Sequence, residues 1–305
     1  MTRLKNLRVT LALTLLIGST LLLFSCGGGG GGGTTTTGGT ISGMAVKGPV
    51  NGATVTAYAI NNGTMGAPIG SGMTGAQGNF TISVGSYSGS VMLQMNGGTY
   101  MDEAAGTPMT MFSGDVMTSV IPSVTAGSAM SGIQITPLTS MAQKRAQNLS
   151  GGMTSANITT ANTAVGNYFS VSDILLIQPM DPTVNGSGAA ASQDTWNYGM
   201  TIAAISQEAS TLGMPHSSGM VTAMMEDASD GKMDGMMMGG TPISMNGMGG
   251  GSMMMGNMKS TAGTSELSTA MTTFINNATA NKSGLTTTDM NALIQKLTTS
   301  NGTIQ

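Results

Sequence analysis

"ISGMAVKGPVNGATVTAYAI", residues 41–60, and "SGMTGAQGNFTISV", residues 71–84, carry the period-two alternation of half-buried strands. Thr54-Val55-Thr56-Ala57-Tyr58 alternates, Phe80-Thr81-Ile82-Ser83-Val84 does the same, and Val91-Met92-Leu93-Gln94-Met95 is nearly continuous in apolar character. Between these runs stand Asn51-Gly52, Asn61-Asn62-Gly63 and Gly78-Asn79, which reach the positive-φ positions of tight turns at little cost. Several short strands at this spacing predict an antiparallel β-sandwich over residues 40–125.

Further along, the apolar period changes. Ile133-Gln134-Ile135 reads as a last short strand, and Thr136-Pro137 starts a helix with proline at its first position. From there apolar residues recur every three or four positions. Ile158, Ala161, Val165 and Tyr168 form one stripe; Tyr198, Ile202, Ile205, Ala209 and Leu212 form a second. Met220, Val221, Met224, Met225 and Ala228 make another, followed by Leu267, Met271, Phe274 and Ala278, and then Met290, Leu293 and Leu297. Each fits one face of a helix. Thr286-x-x-Asp289 gives the last helix a capping-box start. The expected fold class is α+β: a small antiparallel, Ig-like β-sandwich followed by a bundle of five or six helices over residues 133–305.

The quoted stretches also resemble the carboxypeptidase-regulatory-like, transthyretin-type repeat. The residues that carry the likeness are Gly43, then Pro49-Val50-Asn51-Gly52-Ala53-Thr54-Val55, then Thr74 through Gly78 to Phe80. The short connection Ala45-Val46-Lys47-Gly48 departs from that pattern, which often has a longer Asp/Gly loop there. The resemblance implies a sandwich that spaces, stabilises or binds, with no family active site to carry over.

The N-terminus supplies an address. Arg3, Lys5 and Arg8 precede an apolar run from Val9 to Phe24, so residues 1–25 read as a secretory signal. At ~1.5 Å per residue the run reaches about 24 Å, short of a ~30 Å hydrocarbon core. Leu23-Phe24-Ser25-Cys26 resembles a bacterial lipobox, although Phe24 is bulkier than the usual small residue. That likeness implies cleavage before Cys26, acylation of its thiol and new amine, and the lipid bilayer as a partner. Cys26 is the chain's one cysteine, so it can form no internal disulfide. Seven glycines, Gly27 to Gly33, then four threonines and two more glycines complete residues 26–39, a tether with an expected reach of ~20 Å. Without an aspartate after Cys26, the expected location is the outer membrane of a bacterial envelope, with an envelope protein or polysaccharide as a further partner.

Composition excludes much. Beyond the first eight residues seven basic side chains face thirteen acidic ones, so no basic surface for nucleic acid is expected. A single histidine, His216 in "GMPHSSG", rules out a multi-histidine zinc site and reads as a surface-loop residue. No phosphate-cradling G-x-x-x-x-G-K-[ST] is present. Asp102 and Glu103 are adjacent, which in a strand sends them to opposite faces; a solvated turn is expected. Asp227, Asp230 and Asp234 could offer oxygens to calcium, but their spacing is not that of an EF-hand, and a helix stop followed by turns is favoured.

One segment stands apart. Of residues 233–260, ten are methionine and eight glycine. Glycines and Pro242 would break any helix able to bury them, so residues 230–263 are expected to form a long disordered, exposed Met/Gly loop. Thioethers select Cu(I) and, by the same softness, Ag(I). M-x-x-M spacing recurs at Met233/Met236, Met245/Met248 and Met255/Met258, which makes these six the candidate metal ligands. The expected function is a membrane-anchored, non-enzymatic envelope lipoprotein acting as a structural or interaction module, without a cofactor. The alternative is a Cu(I)/Ag(I)-binding lipoprotein using the methionine segment.

Overall fold

The structure, a computed structural model, describes residues 38–305, which belong to one compact unit. The signal at 1–25, Cys26 and nearly all of the tether at 26–39 lie outside the described residues. Among the described residues no helix is long and apolar enough to cross a membrane.

The fold is α+β, with mainly antiparallel sheets and six α-helices among the described residues. Nine strands come first: β1 (Gly39–Ala45), β2 (Thr54–Asn61), β3 (Thr64–Met73), β4 (Asn79–Gly85), β5 (Gly89–Asn96), β6 (Thr99–Met101), β7 (Pro108–Thr110), β8 (Val116–Val124) and β9 (Ala129–Ile135). Helices α1 (Pro137–Asn148), α2 (Ser155–Tyr168), α3 (Gln193–Thr211) and α4 (Ser218–Asp227) follow. Two very short strands, β10 (Met236–Met237) and β11 (Thr241–Pro242), precede α5 (Ser265–Asn276) and α6 (Asn291–Thr299).

The two alternating runs fall on β2 and β4, and the nearly continuous one on β5. Strands pair in the order β3-β2-β5-β8 in one sheet and β4-β1-β9 in another. β6 and β7 form a small ribbon. One pairing departs from the antiparallel expectation: β9 runs parallel to β1, with Gly43 opposite Ile133. A Cβ on Gly43 would collide with the carbonyl of Ile133, so only glycine lets the two backbones meet there. β9 also lies beyond residue 125, the expected end of the sandwich, and is nonetheless part of the β4-β1-β9 sheet.

Val91, Met92 and Leu93 are consecutive and all buried, because β5 is covered on both faces. The outer edge of β8 is closed by α1: Thr118 N–H donates to Ser140 Oγ at 2.8 Å, and Thr139 Oγ1 donates to the Thr118 carbonyl at 2.8 Å. An edge strand is thereby paired through hydroxyls rather than left open. α1 itself starts as its sequence predicts, with Pro137 at the first turn and a Thr136/Thr139 capping box.

The core is continuous from the sheets into the helices. The predicted helix stripes are buried, apart from Leu212 at the end of α3 and Ala278 beyond the end of α5. Methionine outnumbers leucine among the buried side chains, so the flexible thioether does much of the packing that leucine usually does.

The expectation of a long disordered Met/Gly loop is corrected. Residues 230–263 fold onto the helices, with Met233, Ile243, Met245 and Met258 buried in the common core. Neither helix nor long strand is needed, because the segment answers its own backbone groups. Ile243 N–H reaches the Gly235 carbonyl at 2.9 Å, Met258 N–H the Ile243 carbonyl at 2.8 Å, and Met245 N–H the Gly256 carbonyl at 2.9 Å. Its entrance is clasped by the C-terminal tail, where Met233 N–H bonds Gly302 and Ile304 N–H bonds Gly231.

Candidate functional site

The six proposed metal ligands do not form one accessible set. Met233, Met245 and Met258 are buried core residues, Met248 and Met255 are half-buried against that core, and Met236 is exposed. In every M-x-x-M pair one thioether is therefore an anchor and the other lies nearer the surface. A different grouping does emerge around the 3-10 turn Met248–Gly250. The sulfur of Met253 lies against Gly247, and that of Met255 against Gly251, on either side of Met248 in the same turn.

The three aspartates considered for calcium are occupied by the protein itself. Asp227, at the end of α4, is fully buried and accepts from Asp234 N–H at 2.9 Å and Gly235 N–H at 2.7 Å through one oxygen. Asp230 accepts from Lys232 N–H, and Asp234 pairs with the Lys232 ammonium at 2.9 Å. Among the described residues no group of three or more His, Cys, Asp or Glu could hold a metal ion. This is a helix stop followed by turns. The second oxygen of Asp227 is buried without a hydrogen-bond partner; burial above all pushes the carboxyl up to about 7, against the pull of its two backbone donors.

His216 is half-buried, its ring 5.8 Å from that of Phe112, and its Nδ1 is buried without a polar partner. Among the described residues no carboxylate or hydroxyl hydrogen-bonds it as a triad would require.

The densest constellation of reactive side chains lies where the sequence reading expected a solvated turn. That expectation is corrected: Tyr100, Asp102 and Glu103 are all buried. Lys47, from the short connection between β1 and β2, is fully buried and ends beside them. Its ammonium lies 3.0 Å from Glu103 Oε2, 3.7 Å from Asp102 Oδ2 and 5.2 Å from the centre of the Tyr100 ring. Ser206 of α3 accepts a hydrogen bond from Lys47 and donates to Glu103 Oε2 at 2.5 Å. Ser217, just ahead of α4, donates to Asp102 Oδ2 at 2.5 Å and meets the Tyr100 hydroxyl at 3.0 Å. Backbone N–H groups fill the remaining oxygens: Gly48 on Glu103 at 2.6 Å, Ala104 and Ala105 on Asp102 at 3.1 and 2.9 Å.

Burial works to lower the Lys47 ammonium's pKa, but the charges of Glu103 and Asp102 outweigh it and hold that ammonium above its ordinary value. Burial pushes the Glu103 carboxyl up against the pull of Lys47. A lysine beside a serine is the arrangement of some acyl-transfer catalysts. Here access is missing: the cavity bordering Glu103 measures about 10 Å³, no more than a single water needs. The arrangement can hold a proton and three segments of chain in place. It cannot admit a substrate as it stands.

Sequence reasoning missed this cluster because its members lie far apart along the chain, from Lys47 to Ser217, with no motif spacing. The usable signal was Lys47 itself, a charge set between strands in an otherwise apolar run.

No protein-family model matches the chain, and no curated protein does. Among solved structures, a 9R-lipoxygenase from Cyanothece PCC8801 is similar to 68% of this chain at 10% identity, with a TM-score of 0.21. The match spans about a quarter of that enzyme's length, 27%, and a likeness at this level carries no argument about fold or activity.

Proposed function

We propose that the chain is a lipid-anchored, non-catalytic lipoprotein of a bacterial envelope, serving as a structural or interaction module. Its β-rich half is read as a transthyretin-type, carboxypeptidase-regulatory-like sandwich that spaces or binds. Its helices are read as the bundle that stabilises it. The observation that supports its non-catalytic part is the sealed Lys47–Glu103–Asp102 cluster. The richest set of reactive groups ties two strand connections to α3 and α4 instead of facing a cleft. The lipobox-like Leu23-Phe24-Ser25-Cys26 supports the anchor, and the glycine and threonine residues that follow support a tether.

Mass spectrometry of the protein extracted from a bacterial host's membranes tests the anchor. The expected first residue is Cys26 with acyl chains attached, and Cys26→Ser is expected to keep its leader and escape acylation. A bare thiol at position 26, or an uncleaved leader on the wild type, refutes the proposal.

A second reading, Cu(I) or Ag(I) binding, is favoured by one observation: the sulfurs of Met253 and Met255 lie against Gly247 and Gly251, the two ends of a single turn. Thioethers are soft ligands that prefer these ions. Titration with Cu(I) against a chelator is expected to show one site that M253L/M255L loses. Equal affinity in the double variant rules it out.

A further inference from the structure

Between α3 and α5 lies a second cavity, unrelated to the Lys47 cluster and to the methionine turn. It has a volume of about 370 Å³, within the range of small-ligand sites. Its walls are Leu212, Ala270 and the threonines of both helices, an apolar lining with hydroxyls at its margin. Glu208 of α3 borders it and is only 5% exposed. One oxygen of this carboxyl, Oε2, is buried with no hydrogen-bond partner.

The neighbouring charges do not relieve it. Lys259 reaches Glu266 Oε1 at 2.5 Å and is committed to that pair at the rim. The lining therefore holds two carboxylates and one ammonium, an excess of one negative charge when all are ionised. Burial, and then the charge of Glu266, push the Glu208 carboxyl well above the usual range; Lys259 pulls the other way and Asp227 adds to the rise. A carboxyl set in an apolar wall without a partner costs free energy that a cationic guest would recover. A metal ion fits badly, since it would need several oxygen ligands and the second carboxylate of the lining, Glu266, is already paired with Lys259.

We propose that this cleft binds a small organic cation, a primary ammonium on a short apolar body, with Glu208 as its counter-ion. The ammonium pairs with the Glu208 carboxylate, and the apolar body lies on Leu212 and Ala270. The lipid-anchor reading does not bear on this site.

Calorimetric titration of the full chain at pH 8 with n-hexylammonium, n-hexanol and hexanoate tests the assignment. Hexylammonium is expected to bind at one saturable site, at least tenfold more tightly than hexanol, with hexanoate not binding. Glu208→Gln should weaken hexylammonium at least tenfold and leave hexanol unchanged. Thr273→Trp, at an exposed position of the lining, should block both by filling the mouth without touching the core. Equal affinities for hexylammonium and hexanol would mean an apolar cleft without ionic recognition, and would overturn the proposal. So would hexylammonium affinity unchanged by Glu208→Gln, or surviving in Thr273→Trp.

Discussion

Asp227 shows how one buried carboxyl can write a pH dependence into the whole chain. Its pKa is pushed up to about 7, so the folded chain holds this proton more tightly than the unfolded chain, where an aspartate titrates near 3.8. The sign follows. The group favours the folded state most at low pH, and that contribution is lost as pH rises from about 4 through about 7. The loss is of order 2–4 kcal/mol. Glu208, also raised, acts in the same direction. Asp227→Asn keeps an oxygen for the two backbone donors and removes the charge. It is expected to melt higher than wild type at pH 8 and level with it near pH 4, in paired thermal melts at both values. The methionines offer a second residue-scale test. Met253 and Met254 are 74% and 91% exposed, whereas Met233, Met245 and Met258 are buried. Brief peroxide treatment followed by peptide mass spectrometry should find sulfoxide on the first two well before the last three. Uniform oxidation across the segment would mean that it is not folded as described.

At the scale of elements, the strands and helices with a clean period were legible and the methionine segment was not. β2 and β4 alternate, β5 is apolar almost without interruption and buried on both faces, and α2 and α3 carry their stripes at three- and four-residue spacing, so pattern and burial agree. β1 and β9 gave a weaker signal, because their parallel pairing depends on Gly43 meeting a carbonyl some ninety residues away in sequence. Residues 233–258 have no period at all. Their anchors sit at irregular intervals, and glycine there permits close approach rather than disorder. Gly219 of α4 makes the point: a Cβ on it would strike the backbone at Met248 and Gly249. Gly219→Ala is therefore expected to push the 3-10 turn off α4 and expose it. Hydrogen exchange should quicken across 245–256 while β2 and β5 stay protected; unchanged exchange in the turn would contradict the close contact.

Over the whole molecule, the cluster around Lys47 joins parts that the sequence suggested were separate. Its charges come from strand connections and its serines from α3 and the start of α4. Removing the ammonium alone would leave two carboxylates buried together, the expensive way to break such a group. Lys47→Met is expected to cost about 3–5 kcal/mol in urea denaturation. Adding Glu103→Gln should recover part of that loss, and strict additivity of the two would argue against a shared network. None of this was visible before the fold was known, since nothing in the spacing of Lys47, Asp102, Ser206 and Ser217 announces that they meet. The position of β1 has a mechanical consequence. It is the middle strand of its sheet, flanked by β4 and β9, and it follows directly on the stretch proposed as a tether. A tug applied ahead of Gly39 along the strand must shear two ladders of backbone bonds together instead of peeling one rung at a time. A body hung by that end would resist being drawn out by traction far better than one hung from an outer strand.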